Sequence, residues 1–138
     1  MAARLLTGPS LPVDAVDSSG VTALMDAARA GHPAMARLLL LAGADPARTD
    51  RLGRTALHAA AQTGCLSTVP LFGGLVTAAA TDGTAPLHAA AREGHAAVCE
   101  LLLQLGAQPA ARDSHGRTAA HVARIHGHSE LASRLDGH

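Results

Sequence analysis

Nine histidines and two cysteines are the residues of this chain whose chemistry could serve a metal or a catalytic site. Histidine is the side chain that ligates metals and moves protons near neutral pH. His121, His126 and His128 crowd one end of the last unit. No cysteine or carboxylate falls beside them at the spacing of a zinc motif, so no metal is expected. Asp113, Ser114 and His115 supply the three residue types of a hydrolytic triad. As immediate neighbours in the chain they do not converge, and no oxyanion feature accompanies them. Cys65 sits near the start of a helical run, where a helix N-terminus can lower a thiol pKa. The preferred reading is a semi-buried thiol standing where related segments carry histidine. The glycines recur where loops and helix ends need them, not as a phosphate-binding loop. No catalytic residue, metal or cofactor is predicted, and the chain reads as no enzyme.

The elements that position these residues are clearest between Gly83 and Gly106, GTAPLHAAAREGHAAVCELLLQLG. Leu87, Ala90, Ala91 and Gly94 fall at i, i+3, i+4 and i+7, and so do Val98, Leu101, Leu102 and Leu105. Each run places one apolar stripe on one helix face. The first helix is walled with alanine and the second with leucine, so the two can approach closely. Pro86 suits a first helical position, and Gly94 and Gly106 suit the ends. Two helices of this size cannot bury their own stripes and need copies of themselves on either side.

Those copies are present. Gly20, Gly53, Gly83 and Gly116 open the phrases GVTALMDAARAGH, GRTALHAAAQTGC, GTAPLHAAAREGH and GRTAAHVARIHGH, at steps of 33, 30 and 33 residues. Over about residues 12 to 138 the chain resembles the ankyrin repeat family, whose signature is a period of 33 residues with T-P-L-H-x-A. The resemblance implies an all-α solenoid of about four stacked helix-turn-helix repeats joined by hairpin-like loops. It also implies that His58, His88 and His121, and His32, His95 and His128, serve structure through ring hydrogen bonds between neighbouring loops and helices.

Composition agrees with that architecture. One domain is expected from 138 residues, and alanine and leucine dominate a chain whose sole aromatic residue is Phe72. Such a composition starves a sandwich or barrel of strand formers. The eleven basic residues are all Arg and balance eleven acids. A neutral, aromatic-poor chain is a poor candidate for nucleic acid or an anionic membrane. No apolar run reaches the ~18 residues of a membrane span, and MAARLLTGPSLPV lacks the apolar core of a signal peptide. Cys65 and Cys99 lie in different repeats, which predicts reduced thiols in an intracellular protein, cytoplasmic or nuclear.

In chain order, residues 1–16 read as a partial N-terminal repeat or cap, in which Leu5, Leu6 and Leu11 would cover the next unit. Residues 17–138 form the repeat domain, with repeats at about 17–49, 50–79, 80–112 and 113–138. Thr22 is the expected N-cap of the first repeat, and Met35, Leu38, Leu39 and Ala42 the stripe of its second helix. The second helix of repeat two, CLSTVPLFGG, is three residues short and carries Pro70 inside it. A short or distorted helix is expected there, at a cost of about 3 kcal/mol. Ala85 stands where repeat three should carry a capping Thr. Arg124 and Arg134 on otherwise apolar stripes suggest a C-terminal cap that meets water.

Ankyrin-like arrays bind other proteins through loop tips and the exposed side of the first helices, which line a concave groove. By position, the resemblance implies protein-binding roles for Arg29, Arg48, Arg51, Leu52, Arg54, Gln62, Arg92, Arg112, His115 and Arg117. The abundance of Arg, a hot-spot residue at interfaces, points to an acidic segment of a partner protein held by bidentate contacts. A monomer is expected. The alternative is a truncated, marginally stable fragment of a longer array without binding activity of its own.

Overall fold

In the computed structural model, residues 15–137 are described. The expected cap formed by Leu5, Leu6 and Leu11 lies outside them. The described residues hold seven α-helices and one 3₁₀ helix. They are α1 (Ala23–Ala30), α2 (Pro33–Leu41), α3 (Ala56–Thr63), the 3₁₀ segment Val69–Leu75, α4 (Pro86–Glu93), α5 (Ala96–Gln104), α6 (Ala119–Ile125) and α7 (Ser129–Asp136).

Local chemistry sets the helix ends. Thr22, Thr55 and Thr118 cap α1, α3 and α6, each hydroxyl accepting a backbone N–H three residues on: Met25 at 3.2 Å, His58 at 3.4 Å and His121 at 3.3 Å. α4 starts at the equivalent place behind Ala85, which has no side-chain oxygen to offer. Gly31, Gly64 and Gly94 end α1, α3 and α4 in the left-handed conformation, φ 72, 77 and 77°, which costs a residue with a Cβ dearly.

The first helices form the spine: α1 packs on α3, α3 on α4, and α4 on α6, while each first helix also holds its own second element. The alanine wall makes that spine close, with Ala28, Ala60, Ala61, Ala90, Ala91 and Ala123 fully buried. Behind it, Leu102 and Cys99 are fully buried and Val98 nearly so, while Leu101 and Leu105 are half-buried. The leucine stripe of α5 therefore lies in the core as expected.

The stripe expected on α2 is different. Met35 and Leu38 are 51 % and 61 % exposed, and the fully buried residue of α2 is Ala36. The equivalent face of α5 touches the 3₁₀ segment of the preceding unit, whereas no helix among the described residues precedes α1 and α2. Periodicity identified an apolar face, and no earlier helix among the described residues covers it.

The 3₁₀ segment is short and distorted, with a non-helical residue, Phe72, at φ −119° and ψ 25°. Pro70 sits in its first turn rather than its interior. A first-turn N–H has no helical partner in any case, so the expected interior-proline penalty does not arise. Val69 and Phe72 are buried, and the buried Thr68 hydroxyl donates to the Ala28 carbonyl at 3.0 Å, fastening the segment to α1. At the other end Arg124 and Arg134 are exposed, and Arg124 pairs with Asp136 at 2.7 Å.

Candidate protein-binding groove

The loop that precedes each first helix is organised by an aspartate. The Asp50 carboxylate accepts the N–H groups of Leu52 and Arg54, both at 2.9 Å, and the Arg54 side-chain Nε–H at 2.9 Å. Asp113 repeats the arrangement with His115, Arg117 and the Arg117 Nε–H, all at 2.9 Å. Burial opposes charge on both carboxylates, but these bonds outweigh it and hold both below the ordinary value of 3.8. Asp17 builds the same turn without an arginine, accepting from Ser19 and Val21. Repeat three has Ala80 and Thr84 where repeats two and four carry Asp and Arg. There Asp82, two positions later, accepts the Thr84 N–H at 3.0 Å instead.

Successive loops are laced together by their backbones. The N–H of Arg51 donates to Ser19 O, that of Thr81 to Leu52 O and that of Ser114 to Asp82 O. The Thr81 and Ser114 hydroxyls reinforce the last two bonds at 2.9 and 2.7 Å. The approach is so close that a Cβ on Gly53 would lie 2.9 Å from the Thr81 nitrogen, and one on Gly83 2.5 Å from that of Ser114.

The histidines complete the joints. His58 Nδ1 accepts the Thr55 N–H at 3.1 Å, which fixes the neutral tautomer and leaves Nε2–H to donate to Thr84 O at 2.6 Å in the next repeat. His88 does the same with Ala85 N–H and Arg117 O. Burial pulls the His58 pKa below its ordinary 6.5, only partly offset by the Thr84 bond. A second set ties helix ends: His95 to Gln62 O at 2.9 Å and His128 to Arg92 O at 3.1 Å. At the same position Cys65 donates Sγ–H to Arg29 O at 3.2 Å. The thiol thus stands in for a histidine. Cys99 is buried, which pushes its thiol up to about 12 and removes it as a nucleophile. Among the described residues no three His, Cys, Asp or Glu side chains converge as a metal-ligand set.

Above these joints runs a groove of about 440 Å³, floored by first-helix residues and rimmed by the loops of repeats two to four. Of the ten residues expected at a binding surface, Leu52, Arg54, Gln62, Arg92 and Arg117 line it together. Arg29, Arg48, Arg51, Arg112 and His115 lie outside it. Arg29 faces Asp26 at 3.5 Å, and Arg112 donates to Gly116 O at 3.2 Å. Two of the lining arginines, Arg54 and Arg117, already carry the aspartate partners described above, so their charge is compensated inside the fold. Sequence reasoning missed that role of Asp50 and Asp113. The recurrence of Asp four residues before Arg, in DRLGR and DSHGR, was the signal available for it.

A family model described as ankyrin repeats (3 copies) matches residues 1–74 and 71–136. Human ankyrin repeat domain-containing protein 63 is 36 % identical over 136 residues, 91 % of this chain and 36 % of that protein. Human ARF GTPase-activating protein GIT1 is 42 % identical over 83 residues, 57 % of this chain and 11 % of the relative. Human neurogenic locus notch homolog protein 4 is 44 % identical over 92 residues, 64 % of this chain and 5 % of the relative. The chain therefore spans well under half the length of each of these relatives.

Proposed function

The chain belongs to the ankyrin repeat family, and from that premise we propose that it binds a segment of a partner protein in the groove over repeats two to four. Ankyrin repeats are generally protein–protein interaction modules, and no helix among the described residues is long and apolar enough to cross a membrane. The observation that carries the reading is the groove itself, which brings Leu52, Arg54, Gln62, Arg92 and Arg117 to one surface from three repeats. Leu52 is 55 % exposed, an apolar anchor on the rim. Arg54 and Arg117 use Nε to hold their loops, which leaves their terminal nitrogens to donate to a partner's carboxylate. Arg92 contributes a charge that, among the described residues, only Glu93 approaches, at 4.0 Å. The acidic segment expected from the arginine count is narrowed to one that need supply few carboxylates, because Arg54 and Arg117 are already paired.

Ala89 lines the groove floor and is partly exposed there, so Ala89→Arg should block the groove. Capture of binding proteins by the parent chain and by Ala89→Arg tests the reading, with circular dichroism confirming equal helicity. Loss of the captured species in the variant is expected. Equal capture by both would place the interface elsewhere.

A further inference from the structure

The middle of the groove differs from its two sides. Repeats two and four each carry a self-compensated Asp–Arg pair, Asp50–Arg54 and Asp113–Arg117, at 2.9 Å. Repeat three has no such pair, since Ala80 and Thr84 replace its members. Two charges on this repeat therefore lie outside any such loop clamp, and both line the groove. Asp82 is exposed on the loop before α4, and no basic side chain among the described residues pairs with it. Its carboxylate is kept ionised below the ordinary value by hydrogen bonds from Thr84. Arg92 stands in the last turn of α4, its side chain 63 % exposed and only 4.0 Å from the neighbouring Glu93. The body of α4 lies between the loop that carries Asp82 and the last turn that carries Arg92. Thr84 and Ala89, two small side chains of the same repeat, also line the groove.

We propose that the groove selects an extended partner segment that sets a Lys or Arg against Asp82 and, further along the same segment, an Asp or Glu against Arg92. This deepens the groove-binding reading and rests on it. The small side chains of Thr84 and Ala89 leave room for the backbone of such a segment. The flanking Arg54 and Arg117, neutralised within the fold, do not repel its basic end as free arginines would. Electrostatic complementarity of this kind fixes register and orientation more than it adds affinity.

The test is selection of a random peptide library displayed on phage by the purified chain. Asp82→Asn and Ala89→Arg are selected in parallel. Asparagine keeps the acceptor for the Thr84 N–H and removes only the charge. Peptides enriched on the parent chain should pair a basic with an acidic residue at one constant spacing. They should bind Asp82→Asn three- to tenfold more weakly, the range of a partly screened ion pair. Replacing their basic residue by Ala should cause no further loss in that variant. Binding should disappear in Ala89→Arg. Peptides lost in Ala89→Arg but indifferent to Asp82→Asn would overturn the dipolar selection and leave groove binding standing. Peptides retained by Ala89→Arg, or none retained by the parent chain, would overturn both.

Discussion

Repeat three begins its first helix without a cap, and Ala85→Thr should supply one. The backbone is already set for it: Ala85 lies at φ −87° and ψ 164°, against −95° and 175° for Thr55 and −83° and 168° for Thr118. The Oγ1 of a threonine there would meet the N–H of His88 as Thr55 meets that of His58 at 3.4 Å. Thr84 cannot serve instead, because its side chain is engaged with Asp82. Satisfying one orphan helix N–H is worth about 1 kcal/mol. For a domain of this size that raises the melting temperature by roughly 3–4 °C. The assay is urea unfolding followed by far-ultraviolet circular dichroism, with Thr55→Ala measured beside it. The two variants should shift the midpoint by similar amounts in opposite directions. If Thr55→Ala is destabilising while Ala85→Thr is neutral or harmful, the shared geometry of the two starts does not carry equal energy, and the reasoning fails.

The two kinds of groove arginine should separate by stability. Arg54→Gln loses a partly exposed bond to buried Asp50 and should cost up to about 1 kcal/mol, whereas Arg92→Gln should stay within about 0.5 kcal/mol; equal unfolding midpoints would count against the clamp. The His58 pKa is lowered in the fold, so below the ordinary 6.5 the unfolded chain binds more protons than the native one. Its contribution to stability is full above that value and lost as pH falls below it. The lowered values of Asp50 and Asp113 act only lower still, as pH drops past the ordinary 3.8. Unfolding midpoints at pH 7.5 and 5.0 should therefore differ, and less so in His58→Gln; an identical difference would show that other groups dominate. The 3₁₀ segment should exchange its amides well before α5, because few of them lie in regular helix. Protection equal to that of residues 96–104 would mean the shortened unit costs nothing. Pro70→Ala should change stability by less than about 1 kcal/mol, since the proline occupies a first turn.

The positions of the helices, the threonine caps and the glycine ends were legible in the sequence because each rests on bonds between residues three to five apart. Four copies of one pattern also made the stacking legible, since a lone pair of short helices cannot bury its own stripes. Three other features were not read from the pattern of the sequence. Met35 and Leu38 on α2 carry the same apolar signal as Val98 and Leu101 on α5, yet burial depends on whether another unit lies against them. Pro70 reads as a helix breaker until the segment folds as a 3₁₀ turn that begins at it. The groove arginines look alike as residue types. The structure shows that Arg54 and Arg117 hold buried aspartates, while Arg92 stays exposed and Asp82, in the same groove, has no basic partner among the described residues. Helix propensity and capping are properties of a short stretch of chain, whereas a charge is free or spent only after the fold has brought its partners within reach.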